Sequence, residues 1–311
     1  MKPSRNPVAS IVGTLCAAAL LAFLAASCAA PLKIEASVDP LALLDPGALA
    51  YARLSGSAAR DLAPSLLPAA QAASMKSLLE RTKVVALSLG DAHPSDEGTP
   101  APNAKALGAV PFQAALLGDY PFRAAALSLG SDPAWKRVKP AYYNAKLGVY
   151  VALPGPQLVL ASTGPLDSLL ASAKAPGPSP IPARLSDLGS REIVLWAPEP
   201  FSGLAAEMLG EAMDVPVRGL LVAASPVQGE AGRYKATVVF MMEDAEALRT
   251  FRPLLKLAWY GMAKMLFGDE AEAAIALPLR ADGELYAVSE IPLSREALAR
   301  VLGLLRAGRR D

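Results

Sequence analysis

The sequence predicts an α+β fold made of two similar halves. Each half is expected to run β-α-β-β-α-β-β-α, with mixed or antiparallel sheets and helices mainly on one face. Three observations lead there. Short apolar runs of strand length alternate with longer stretches of helical period. The segment Gln157–Asp167 resembles Glu284–Ser294: a shift of 127 positions aligns Leu158 with Leu285, Ser162 with Ser289, Pro165 with Pro292 and Leu166 with Leu293, four identities in eleven. A proline-rich run from Ala175 to Pro182 lies half-way and is semi-rigid by composition. The expected organisation is a signal segment over 1–27, a tether over 28–46, a first half over 47–174, a connector over 175–190 and a second half over 191–311.

In the first half, Ala48–Leu54 reads as a strand. Helical pattern follows from Ala58 to Arg81, interrupted by Pro64 and Pro68. Proline fits a helix only in its first turn, so a short helix and a longer one restarting near Pro68 are expected, with Ser65 as cap and Leu78 and Leu79 buried. Val84–Leu89 and Phe112–Leu117 are strands, separated by a long polar loop from Gly90 to Ala109. Pro121–Val138 is partly helical. Leu147–Leu153 and Gln157–Ser162 form a hairpin around Pro154-Gly155-Pro156, and a helix over Pro165–Ala173 closes the half.

The second half begins with a strand at Glu192–Ala197 and a helix at Phe201–Met213. Leu220–Ala224 and Tyr234–Met242 are strands. Glu243, Asp244 and Glu246 then place acids where a helix dipole favours them, and the helix runs to Phe267. Its apolar row is Phe251, Leu255, Ala258, Met262 and Leu266; Arg249, Arg252, Lys256 and Lys264 share another face with Tyr260 between them. Such a helix either covers a sheet and shows its charges to water or lies on anionic lipid. Ala274–Leu279 and Glu284–Ser289 are expected as a hairpin around Ala281-Asp282-Gly283. A last helix over Ser294–Arg306 carries Leu298, Val301, Leu302 and Leu305 on one face, and Arg306, Arg309 and Arg310 make a basic, solvated end.

Composition narrows the function. The hydrophobic share of 53% and charged share of 19% exclude a disordered chain. Removing Lys2 and Arg5 from 30 basic residues leaves 28 against 29 acids, a neutrality that excludes a nucleic-acid partner. Tyr234–Met242 puts Tyr234, Ala236, Val238, Phe240 and Met242 on one face and Lys235, Thr237, Val239 and Met241 on the other, so both faces read as at least half buried and the second needs a cover, from this chain or from an apolar ligand or protein.

Chemistry finds few residues to use. The one histidine, His93, sits near Asp91, Asp96 and Glu97 in the polar loop, poor material for a rigid metal site of three or four ligands. A Ser-His-Asp set would have to use it. No Gly-x-Ser-x-Gly elbow, phosphate-cradling loop or His-Glu-x-x-His pattern is present. Asp269, Glu270 and Glu272 cluster beside a turn, where solvation explains them. No catalytic residue, cofactor or metal is expected.

The first 28 residues are the most informative. Met1–Pro7 is basic, Val8–Ala26 is almost wholly apolar, and small residues lead to Cys28, the layout of a secretory signal. The apolar run also approaches the ~20 residues that span a bilayer, so an uncleaved membrane helix is the competing reading. Ala25-Ala26-Ser27-Cys28 resembles the lipobox of bacterial lipoproteins, departing at Ala25, where leucine is usual. The resemblance implies that Cys28 is lipidated with diacylglycerol and becomes the mature N-terminus, and that Ala29 after it favours the outer membrane. Cys16 would be lost with the signal, leaving no partner for a disulfide. The expected function is a non-enzymatic binding or scaffolding lipoprotein of a diderm envelope, anchored to the membrane on its periplasmic side or in the outer membrane, with an envelope protein as possible partner. The alternatives are a periplasmic carrier of an apolar ligand such as a lipid, and a carboxylate-based hydrolase.

Overall fold

A computed structural model describes residues 38–66, 69–90, 111–200 and 216–304. The chain packs as two units. Arg53–Pro180 belong to the first, and Ile181 onward to the second together with Leu49–Ala52. The division therefore falls inside the first strand, β1 (Ala50–Ser55).

After β1, the first unit runs through α1 (Gly56–Leu66), α2 (Ala69–Arg81), β2 (Thr82–Leu89), β3 (Phe112–Gly118) and α3 (Phe122–Ser131). It continues with β4 (Trp135–Val138), β5 (Ala141–Asn144), β6 (Val149–Gly155), β7 (Leu158–Ser162) and α4 (Asp167–Lys174). A 3-10 turn over Pro40–Leu43 precedes β1. The second unit holds a 3-10 turn over Ala183–Leu185, the short α5 (Ser186–Gly189), β8 (Ile193–Pro198), β9 (Val217–Pro226), β10 (Arg233–Met242) and the long α6 (Ala245–Phe267). A 3-10 turn over Gly268–Glu270 then leads to α7 (Ala271–Ile275), β11 (Arg280–Asp282), β12 (Leu285–Ser294) and α8 (Arg295–Leu304). The fold is α+β with an open twelve-stranded sheet of order β11-β12-β10-β9-β8-β1-β2-β3-β7-β6-β5-β4. The ladders from β2 to β7 and from β8 to β12 are antiparallel.

Local chemistry explains the element ends. Ser55 Oγ accepts the Ala58 N–H (3.2 Å) and caps α1. Gly56 lies so close to the Thr82 carbonyl that a Cβ would strike it, so only glycine lets the end of β1 approach the start of β2. Pro64 sits inside α1, two residues before its end, and its missing N–H leaves one bond of the last turn unmade. Ser65 is therefore an exposed residue within α1 and not the cap of the next helix. Asp244 caps α6, its Oδ1 accepting from Glu246 N (2.9 Å) and Ala247 N (2.7 Å).

The structure corrects several expectations. Ala274–Leu279 is not a strand: Ala271–Ile275 is helical and the hairpin partner is the three-residue β11. The hairpin loop is Gly283-Glu284, with Asp282 facing Leu285. β4 and β5 were not expected, and the connector carries a 3-10 turn and α5. The polar loop with His93, the helix at 201–213 and the basic end lie outside the described residues, as does the whole signal segment with Cys28.

The two units share a strand order. β1, β2, β3, β7 and β6 lie side by side in one, with β5 and β4 beyond; β8, β9, β10, β12 and β11 do so in the other. Registers agree as well. Leu116 faces Val159 and Leu117 faces Leu158; Phe240 faces Tyr286 and Met241 faces Leu285. Between Thr82 and Val84, β2 bulges against β3, leaving Lys83 unmatched. β9 bulges against β10 at the corresponding place, leaving Arg218 unmatched. The Asp119 N–H donates to the Arg81 carbonyl (3.0 Å) just as Glu243 N–H donates to that of Pro216 (3.0 Å).

Candidate interaction surfaces

Two surfaces concentrate side chains that the core does not consume. The first is the outward face of α6. Its buried row is Leu248, Leu255, Trp259, Ala263, Leu266 and Phe267, with Trp259 fully buried and edge-on to Phe267 at 5.9 Å. Phe251, Ala258 and Met262, expected inside, are half-buried. The opposite side exposes Leu254 (41%), Leu257 (67%) and Met265 (57%). About two helical turns apart and flanking them are the exposed Arg249, Lys256 and Lys264. Lys256 Nζ lies 5.8 Å from the Tyr260 ring and Arg252 lies 5.6 Å from that of Tyr286, so aromatic faces hold two of the cations in place. The period revealed this amphipathicity; which apolar row would face water was not legible.

The second surface is an open groove of about 540 Å³ in the first unit, lined by Ser55, Gly56, Ser57, Arg60, Glu80, Arg81, Thr82, Lys83 and Asp119. Sequence reasoning missed it, because its parts come from the ends of β1 and β3 and the junction of α2 with β2. Lys83, the bulged residue of β2, bonds Asp119 at 2.8 Å. A bulge re-aims its side chain out of the ladder. Arg60 donates to the Leu79 carbonyl (3.1 Å), and the Ser55 and Ser57 hydroxyls pair at 2.8 Å. Beneath the floor, Thr82 Oγ1 donates to the Leu78 carbonyl (2.9 Å) and meets the Tyr120 hydroxyl at 3.0 Å. Burial pushes the Tyr120 phenol well above its ordinary range despite that bond, so Tyr120 stays neutral.

The corresponding bulged residue of the second unit is more heavily engaged. Arg218 donates to Glu243 at 2.6 Å and to Glu199 at 3.4 Å. Bonding to Glu243, then to Glu199, raises its pKa.

The acidic cluster expected beside a turn is put to structural use. Glu270 Oε2 accepts the Ser294 N–H (2.8 Å) at the head of α8, and Oε1 lies 3.8 Å from Arg233. Among the described residues no three His, Cys, Asp or Glu side chains gather as metal ligands. No helix among them is long and apolar enough to cross a membrane.

No protein-family model and no curated protein matches the sequence. Solved structures do. Crystal form III of TP0453 from Treponema pallidum aligns with a TM-score of 0.58 at 17% identity over 86% of this chain and 99% of that one. Crystal form I gives 0.57 and 16% over 87% and 99%, and crystal form IV gives 0.57 and 16% over 86% and 97%. At such identities the likeness establishes a shared α+β fold over most of this chain and nearly all of that one.

Proposed function

We propose that this chain is a lipid-anchored envelope protein that works by contact and not by catalysis, with the outward face of α6 resting on anionic membrane. The exposed Leu254, Leu257 and Met265 beside basic side chains carry this reading. Single exposed apolar residues are ordinary on a protein surface, but these three share one side of a helix with a basic row beside them. Against a membrane, each contributes burial free energy of about 25 cal/mol per Å², and each nearby Lys or Arg adds ~1 kcal/mol on an anionic surface. An acyl anchor on Cys28 would keep the body within reach of that surface, through a tether shorter than the expected 28–46, because Leu41, Leu43 and Asp45 are buried in the body.

The apolar-carrier reading is less favoured. The strand that motivated it is already covered on both faces, Val238 being 0% and Val239 2% exposed, and the groove is lined by polar groups. We also infer that the halves arose by duplication, which the common strand order and the two corresponding bulges support.

The test is flotation of a protein that starts at Ala29, without the apolar signal segment and without Cys28, with phosphatidylglycerol-containing or pure phosphatidylcholine vesicles. Salt-sensitive flotation with the anionic vesicles alone is expected, and Leu254→Asp/Leu257→Asp should abolish it. Failure to float, or flotation indifferent to that double substitution, removes the reading. Intact mass of native material should begin at a diacylated Cys28.

A further inference from the structure

The two bulged cations sit in equivalent ladders but in unequal company. Arg218 is bracketed by Glu243, from the end of β10, and Glu199, from the residue after β8. Lys83 has the counterpart of the first, Asp119, at 2.8 Å. The counterpart of the second is the residue after β1, and this is Gly56. The positions correspond in strand order, and each lies against its bulge. The Glu199 N–H donates to the Arg218 carbonyl (3.2 Å), and Gly56 lies against the Thr82 carbonyl and Lys83 Cα. Where the second unit supplies its own carboxylate, the first supplies no side chain, and there the surface opens into the groove.

We propose that this groove binds the carboxylate of a small organic acid, which takes against Lys83 the place that Glu199 takes against Arg218. The lining suits such a guest. Arg60, Arg81 and Lys83 outnumber Glu80 and Asp119, and the Ser55 and Ser57 hydroxyls stand at the same rim. The lysine ammonium has three donors, so bonding Asp119 does not exhaust it. The Arg60 bond to the Leu79 carbonyl steadies its guanidinium against the end of α2, which lowers the entropy cost of using its remaining donors.

Citrate titrated into the detergent-solubilised full chain, in carboxylate-free buffer, tests this by calorimetry. One saturable site is expected. Lys83→Met and Ser57→Glu, the second placing a carboxylate of the chain's own in the groove, should each weaken it at least tenfold. Arg218→Met should leave it within about twofold. Circular dichroism checks that the variants fold; if Lys83→Met does not, Ser57→Glu decides alone. The proposal is overturned if citrate gives no saturable heat, if Arg218→Met weakens binding as much as Lys83→Met, or if inorganic phosphate binds as tightly as citrate.

Discussion

The Trp196 ring lies across Gly219 on the neighbouring strand, filling the space that a side chain there would need. The two residues lie diagonally on the β8–β9 ladder, where Trp196 faces Leu221 and Pro198 faces Gly219. The indole is only 3% exposed. Gly219→Ala must therefore push a buried ring off its strand. Overpacking of this kind costs about 1–3 kcal/mol. Urea unfolding should show the loss, with a red shift of tryptophan emission in the native state. An unchanged midpoint would mean that the ring has a second place to go.

Asp45 makes a different kind of lock. It is 6% exposed, and its Oδ2 accepts from Gln113 Nε2 and from Ser168 Oγ, each at 2.6 Å. Its own N–H donates to Gln113 Oε1 (2.9 Å). One carboxylate thus ties the segment before β1 to β3 and α4. Asp45→Ala leaves two donors without their acceptor, and an unsatisfied buried polar group costs about 1–3 kcal/mol. Asp45→Asn keeps one acceptor and should fall between the two. Thermal or urea denaturation ranks the three proteins; equal stability of the alanine variant would show that water replaces the carboxylate.

Lys235 bonds Glu290 at 2.6 Å across the β10–β12 ladder, at a bulge where Glu290 takes φ 61°. The bond from Lys235 lowers the Glu290 pKa, and Glu290 raises that of Lys235. A lowered carboxyl contributes stability above the ordinary carboxylate range and loses it as the pH falls through its depressed value. Glu290→Gln should therefore lower the urea midpoint slightly at neutral pH and not at all at low pH, where both proteins carry a neutral group. Both side chains are more than half exposed, so added salt should shrink the neutral-pH difference. A difference that persisted at low pH would assign the effect to the bulge backbone and not to the charge.

Much of this fold is written locally, and the exceptions share a cause. Asp244 before a 3.6-residue apolar period marks α6 because cap and stripe lie in one stretch of chain. The alanine-rich run at 271–279 reads as a strand over Ala274–Leu279, and that reading fails. The run's apolar residues suit a strand or a buried helix, and alanine's helical preference settles Ala271–Ile275. β4 and β5 have four residues each, too few for a period, and the Tyr143 ring of β5 lies 4.5 Å from that of Tyr150 of β6, tilted by 32°. The groove is least legible of all. A bulge is a mismatch between two strands, so nothing at Lys83 alone announces that its side chain leaves the ladder.

The β11–β12 hairpin owes its turn to Gly283 and its position to Arg184. Gly283 takes φ 60°, and a Cβ there would stand 2.6 Å from the Arg184 guanidinium. That guanidinium grips Glu284 through both carboxylate oxygens, at 2.6 and 2.7 Å, and donates to the Asp282 carbonyl at 3.2 Å. The two effects separate by substitution. Gly283→Ala suffers both the left-handed backbone and the collision, and should cost about 1 kcal/mol or more. Arg184→Ala removes the grip but leaves the turn, so amide exchange should quicken in β11 and the loop while the global unfolding midpoint moves little. In the double variant the collision is absent, and Gly283→Ala should cost less than it does alone. A penalty for Gly283→Ala that is the same with and without Arg184 would show that backbone conformation carries the whole effect.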